Sequence, residues 1–527
     1  MKPTAEQEAV VEAALAHQTL AVEALAGTGK TSSLVLLGEA MRGRGLYLAF
    51  NRAIVNDAKP RFPKNVDCRT AHSLAFREVG KRYNERLHSP RMRSDEIAHL
   101  LGCERVEHRI GDLRIDGPKL ADITMRTARR FEKSPDAGLL HSHVPQPPGF
   151  DKRGHAQLAE LALPLAVRVW EDLLQPDGRL PFAHDTYLKI WQLSDPVIEA
   201  DFILFDEAQD ADPVMLDVVQ SQSGARQIFV GDSHQAIYEW RGAVNAMRAI
   251  QVEQRRWLTM SFRFGEAIAE RANEYLAQIG AERLVRGHPD VASTVGPVAE
   301  PDAILTRTNA TAVATAIEAL DRGGRPALVG GGEQAKQFAM AARRLQARQP
   351  VTHPELACFD NWGQVQHFVD NDDQGSEIAM LVRLVDAWGP DTIIGVVDRC
   401  VDERAADLLV STTHKAKGRE WPKVRLAADY PASRDDVPPS RDDVHPARDD
   451  VHPAREEIQL AYVAVTRAKL RLDVTLIGSS PPQPAPRPPT TSRPGESPDV
   501  ARRRPLTGSR VPIGEIKVGI GRPKPRG

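Results

Sequence analysis

Cysteine is scarce in this 527-residue chain, with four copies at Cys68, Cys103, Cys358 and Cys400. They stand far apart and fit neither a zinc nor an iron–sulfur spacing, so they read as buried thiols in a reducing compartment. Long apolar runs are missing too, and nothing approaches the length of a membrane span. The opening residues, MKPTAEQEAVVEAALAHQ, carry no apolar signal core. The chain is therefore expected to be cytoplasmic, nucleoid-associated if bacterial or phage-encoded, with no membrane partner. A charge excess is also lacking: the net charge is −2, which by itself points to no nucleic-acid partner. The balance is uneven, however. Residues 479–527 hold ten Lys/Arg against three Asp/Glu. That tail is rich in Pro, Ser and Arg and is expected to be disordered. It offers a weak electrostatic tether to DNA or to a protein partner. What remains, with 41% hydrophobic and 27% charged residues, is the composition of a globular protein long enough for two to four domains.

The string TLAVEALAGTGKTSSLVLL is an apolar run, a Gly-rich turn and a helical pattern. Residues 24–31 fit the phosphate loop A/G-x-x-x-x-G-K-T, with Ala24 in place of the first Gly. Ala26, Gly27, Thr28 and Gly29 let backbone N–H groups close around phosphate oxygens at a helix N-terminus. Lys30 would reach the β- and γ-phosphates, and the Thr31 hydroxyl would ligate Mg²⁺. A second string, ADFILFDEAQDADP, reads as a buried parallel strand that delivers carboxylates at its C-terminal end. Asp206 would hold the Mg²⁺ and Glu207 would polarise an attacking water. A third, RQIFVGDSHQAIYEWRGA, ends a strand near Asp232 and offers Gln235 as a bridge between γ-phosphate and water. ATP and Mg²⁺ are the expected cofactors.

These pieces, in this order, resemble the UvrD/Rep family of superfamily 1 DNA helicases. PTAEQEAV resembles its glutamine motif, LAFNRAIVNDAK and TAHSLAF its motifs Ia and Ib, LTMSFRF motif IV, STTHKAKGREW motif V and EEIQLAYVAVTRAK motif VI. The F-box DNA helicase branch is nearest in flavour, although no F-box segment is present. The resemblance implies that Gln7 reads the adenine edge, Phe262 stacks on the base and Glu420 bonds the ribose. It also implies that Arg263 and Arg467 project onto the γ-phosphate from a second motor domain. Many relatives have an Arg just after the G-K-T, where this chain has Ser32, so preference for ATP is open. Single-stranded DNA and its junctions with duplex are the implied partner. Phe50, Asn51, His72, Ser73, Trp240, Arg241, Thr412 and His414 are candidates for the track, with Trp240 foremost because base stacking is sequence-tolerant.

The expected fold is α/β: two RecA-like P-loop NTPase motor domains with mostly helical accessory insertions. Residues 1–80 and 186–260 would form the first motor and 81–185 its insertion. Residues 261–335 and 405–478 would form the second motor, and 336–404 its short insertion. Residues 433–460 are four tandem copies of a seven-residue unit. The prolines that close the first three copies, Pro439, Pro446 and Pro453, forbid a continuous helix and hence a coiled coil. Only the last copy reads as a helix start, with Pro453 ahead of Glu456 and Glu457. The repeat is expected to be a tolerated surface insertion, with partner binding as the lesser reading. The expected activity is an ATP-driven, 3′→5′ translocase and helicase on single-stranded DNA. Its rivals are a translocase that strips proteins from single strands and a non-motor nucleotide switch. Oligomeric state is left open.

Overall fold

The computed structural model describes residues 2–49, 51–88, 92–110, 113–146, 151–237, 245–353, 355–356, 359–370, 377–431 and 453–477. Phe50, Trp240, Arg241, Cys358, repeat residues 433–452 and the 479–527 tail lie outside them. All described residues belong to the unit Met1–Pro484.

Two six-stranded parallel sheets organise this unit. The first is built from β1 (Thr19–Ala24), β2 (Gly45–Ala49), β3 (Val66–Thr70), β6 (Phe202–Phe205), β7 (Arg226–Gly231) and β8 (Gln254–Leu258), in the order β3-β2-β6-β7-β1-β8. Strands β2 and β6 are buried along their whole length, as parallel strands covered on both faces must be. Alternation divides β1 between two cores: Leu20, Val22 and Ala24 enter one and Ala21 the other. The connection from β1 crosses to β2, whereas β8 lies on the opposite side of β1. The order thus reverses at β1, and ligand crevices form at strand C-termini beside such a switch point.

Between β3 and β6 lies a helical segment carrying the antiparallel hairpin β4 (Glu107–Ile110) and β5 (Leu113–Asp116). Its helices Gly117–Glu132 and Lys152–Leu173 bury Ile123, Ala128, Leu158 and Ala162 in a core continuous with one face of the first sheet.

The second sheet has the order β11-β12-β10-β13-β14-β9. It comprises β9 (Thr294–Val295), β10 (Ala303–Thr306), β11 (Pro326–Leu328), β12 (Leu408–Thr412), β13 (Trp421–Leu426) and β14 (Ala468–Asp473). The strand-then-helix pattern expected over 303–320 is present as β10 followed by the helix Asn309–Asp321, capped by Thr308. The helices Glu333–Gln346, Trp362–Asp370, Glu377–Trp388 and Pro390–Arg399 gather around a core of their own. Helix Pro453–Val465 begins where the last repeat copy reads as a helix start. The fold is α/β, with two parallel-sheet motors of the RecA-like kind and helical additions. The chain passes between them once β8 ends: Leu258 lies in the first core, and Phe264 is already in the second. No helix among the described residues is long and apolar enough to cross a membrane.

Candidate nucleotide site between the two sheets

The phosphate loop follows β1 and opens the helix Lys30–Ala40. Gly27 and Gly29 have φ of +74° and +78°, a region that costs residues with a Cβ about 1–2 kcal/mol. Gly27 is needed a second time: a Cβ there would lie 2.4 Å from Ser261 Oγ and 2.8 Å from Arg263 Cβ. Thr28 Oγ1 donates to the Leu25 carbonyl (2.8 Å), which fixes the turn from inside.

Strand β6 delivers Asp206 and Glu207 next to this loop. Tyr47 OH donates to Asp206 Oδ2 (2.7 Å) and the Glu207 N–H to Asp206 Oδ1 (2.9 Å). Glu207 has φ +51°, a left-handed conformation that non-glycine residues hold only where the surroundings over-determine it. Its carboxylate lies 3.7 Å from Lys30 Nζ. Burial, then the charge of Glu207, pushes the Asp206 carboxyl up to about 7. Burial acts the same way on Glu207, but the ammonium groups of Lys30 and Lys417 outweigh it and hold that carboxyl below the usual range. Four carboxylates (Asp206, Glu207, Asp210 and Asp232) thus crowd around two lysines. Such a set of hard carboxylate oxygens is of the kind a divalent cation takes.

Gln235 follows β7. Its Nε2 donates to Asp232 Oδ2 (2.6 Å), and its Oε1 accepts from Arg467 Nη2 (3.1 Å). Arg467 is buried. Burial and the neighbouring Arg263 push its guanidinium down to about 9, still charged at neutral pH. Arg263 donates to Glu420 Oε2 (2.7 Å) and to the Thr466 carbonyl (2.9 Å). Glu420 also accepts from Lys469 (3.0 Å). At the other end of the loop, Gln7 is held by its capping box with Thr4 and donates to Ser33 Oγ (3.1 Å). Gly29 has the Phe262 ring on one side and the Gln7 amide on another, 3.4 and 3.6 Å from where its Cβ would stand. Lys30, Glu207, Gln235, Arg467, Arg263, Glu420, Gln7 and Phe262 therefore converge from both sheets.

Several residues of the site are missing from the sequence reading. Gln209 Nε2 donates to Glu207 Oε2 (2.5 Å), while its Oε1 accepts the Asp232 N–H (3.0 Å). Tyr462, buried on the helix Pro453–Val465, accepts from the Ala26 N–H (3.2 Å) and donates to Asp232 Oδ2 (3.3 Å). Lys417 donates to Asp210 and to the Gln235 carbonyl. Arg61 donates to Ser32 Oγ (3.0 Å), so a guanidinium reaches Ser32 from a segment without a motif. Gln209 adjoins the acidic pair, and Lys417 and Tyr462 lie inside STTHKAKGREW and EEIQLAYVAVTRAK, but nothing in those strings names their partners.

The described track candidates are less uniform. Asn51 caps the helix Arg52–Ala58 through Ile54 N–H. His72 lies 3.3 Å from Asp185 and edge-on to Tyr187. Ser73 is exposed and bonded to Thr70. Thr412 is buried at the end of β12, and His414 is half-buried on the short helix after it.

Fold and site define a P-loop nucleotide site closed by arginines from a second parallel-sheet motor. Two family models match this layout: the UvrD/REP helicase N-terminal domain over residues 194–251 and the UvrD-like helicase C-terminal domain over residues 396–479. The chain is thus similar to UvrD-like helicases over parts of both of their domains. It is 31% identical over 513 residues to F-box DNA helicase protein 1 of Schizosaccharomyces pombe, covering 89% of this chain and 57% of that one. It is 30% identical over 509 residues to F-box DNA helicase 1 of Gallus gallus, covering 89% and 48%. The chain thus spans about half the length of the curated relatives it matches. Among solved structures, an arterivirus nonstructural protein 10 helicase in complex with DNA aligns with 88% of this chain and 63% of its own, at 14% identity and a TM-score of 0.30.

Proposed function

We propose that this protein is an ATP-dependent DNA helicase that translocates 3′→5′ on single-stranded DNA. One observation carries the reading. Arg467, on the second sheet's side, donates to Gln235 of the first within electrostatic reach of the Glu207 that pairs with Lys30, while Arg263 stands against Gly27 of the phosphate loop. A site completed from two bodies hydrolyses only when they close, which couples chemistry to movement.

In this reading, residues 1–80 and 186–260 are the first motor and 261–335 with 405–478 the second, each carrying the insertion described above. Backbone N–H groups of Gly27, Gly29 and Lys30 cradle the phosphates, those of Ala26 and Thr28 being taken by Tyr462 and Leu25, and Lys30 leaves Glu207 for the β- and γ-phosphates. Thr31 and Asp206 would hold Mg²⁺, which would supply charge neutralisation to the phosphates. Glu207 orients the attacking water and Gln235 senses its position. Arg263 and Arg467 stabilise charge spreading over the transferred phosphoryl, an effect worth about 10³–10⁵ in rate in other NTPases. Gln7, Phe262 and Glu420 hold base and ribose. The DNA face comprises Phe50, Asn51, His72, Ser73, Trp240, Arg241, Thr412 and His414.

The test is ATP hydrolysis with and without single-stranded DNA, alongside Glu207→Gln. Strong stimulation that the variant loses supports a DNA-coupled motor. Hydrolysis indifferent to DNA sinks it and leaves a nucleotide switch.

A further inference from the structure

The crossover between the motors starts at Thr259, the residue after β8, and it is held from an unexpected place. Glu6, on the first turn of the helix Ala5–Ala16, accepts the Thr259 N–H on Oε2 (2.8 Å) and the Thr259 hydroxyl on Oε1 (2.6 Å). Arg286 Nη2 donates to the same Oε1 (2.8 Å), and Arg286 Nε to Thr259 Oγ1 (3.1 Å). An acidic residue in a first helical turn is favoured by the helix dipole alone and needs no partner. Here it gathers three donors from residues 253 and 280 positions further along the chain. Burial works to raise the Glu6 pKa, but its bonds to Thr259, helped by Arg286, outweigh it, so the carboxylate stays charged.

The clamp leads directly to the base end of the site. Thr259 and Ser261 bond Arg286 through its backbone on either side (2.9 and 2.8 Å), and the Phe262 N–H donates to the Gly27 carbonyl (2.8 Å). Gln7 is the next residue after Glu6, so the two groups flanking Gly29 hang from the two ends of one clamp.

We propose that Glu6 is a positioning residue for nucleobase recognition: by binding Thr259 and Arg286 it sets the spacing between Gln7 and Phe262. The proposal rests on the nucleotide reading above. The phosphate end has separate anchors, Arg263 on Glu420 and Thr466, Arg467 on Gln235 and Val463. Loosening the clamp therefore weakens base binding without disarming hydrolysis.

The experiment measures KM and kcat for ATP and GTP in the wild type, Glu6→Ala, Glu6→Gln and Arg286→Ala, with thermal melts as a folding control. Glu6→Ala raises KM for ATP about tenfold, equivalent to about 1.4 kcal/mol. It brings the ATP and GTP KM values together and leaves kcat within about twofold. Glu6→Gln, which keeps an acceptor for Thr259, falls between, as does Arg286→Ala. A loss of kcat with KM unchanged is what partial unfolding gives, and it overturns the proposal. So does no change in either parameter. A wild type that binds and hydrolyses neither nucleotide overturns the nucleotide reading, and the clamp's role with it.

Discussion

Lys417, just past the short helix Thr413–Ala416 of the second motor, donates to Asp210 Oδ2 at 2.5 Å and to the Gln235 carbonyl at 2.6 Å on the first. Both side chains are nearly buried. Burial pushes the Asp210 carboxyl up to about 6 even beside this ammonium, so the pair is an ionic bolt across the cleft. Breaking a buried pair from one side costs about 3–5 kcal/mol, because the other charge is left stranded.

Lys417→Met should therefore lower ATP turnover about a hundredfold, since a closed cleft would strand Asp210. Asp210→Asn in the same chain should restore part of it. The measurement is a double-mutant cycle on kcat/KM, in which residues in contact couple by about 0.5–3 kcal/mol. Strict additivity would show that the bolt plays no part in closure.

Tyr462 is a second bridge of this kind, with its hydroxyl between the Ala26 N–H and Asp232. Tyr462→Phe keeps the packing and leaves a buried N–H of the phosphate loop without its acceptor, a penalty of about 1–3 kcal/mol. The expected result is weaker nucleotide binding, about tenfold or more, with little change in melting temperature of the nucleotide-free protein if the cleft opens to relieve the loss. Isothermal titration with a non-hydrolysable ATP analogue checks it; unchanged affinity would refute it.

Much of this site was legible because its chemistry sits in short strings with their own backbone logic. Gly27, Gly29 and Lys30 announce a turn and a helix N-terminus, and four apolar residues before Asp206 and Glu207 announce a buried strand. What escaped is which residue of one string meets which residue far away. Lys417 meets Asp210 across 207 residues, Tyr462 meets Ala26 across 436, and Glu6 meets Thr259 across 253. Ser32 read as an absence, whereas in the structure its hydroxyl accepts from Arg61. His72 and Thr412 read as possible DNA contacts on motif position alone. The fold was legible further than the site because apolar runs report their burial directly, while hydrogen bonds report nothing until the chain is folded.

Gly27 gives the sharpest steric prediction. At φ +74°, with Ser261 Oγ and Arg263 Cβ within 2.8 Å of a Cβ, Gly27→Ala must push the crossover away from the loop. Backbone strain of about 1–2 kcal/mol comes on top of this. ATP turnover should fall at least a hundredfold through displacement of Arg263, while binding of single-stranded DNA in the absence of nucleotide stays within about threefold. Fluorescence anisotropy with a labelled oligonucleotide and a turnover assay separate the two. Parallel losses in both would point to misfolding instead.

Glu132 closes the helix Gly117–Glu132 in a buried position and accepts from Thr186 Oγ1 (2.8 Å). Burial pushes its carboxyl up to about 7 from an ordinary 4.5. The folded state then keeps a proton that the unfolded chain gives up above its own pKa. This contribution to stability is whole below about pH 4.5, declines as pH rises towards 7 and is gone above it. Glu132→Gln keeps an acceptor for Thr186 and removes the titration. Between pH 4.5 and 8 the wild type should therefore lose on the order of 3 kcal/mol relative to the variant. Urea unfolding of both proteins at half-unit pH steps measures the difference directly. A gap that stays constant with pH would mean that Glu132 is ionised in the folded protein, with water or a cation reaching it inside the helical core.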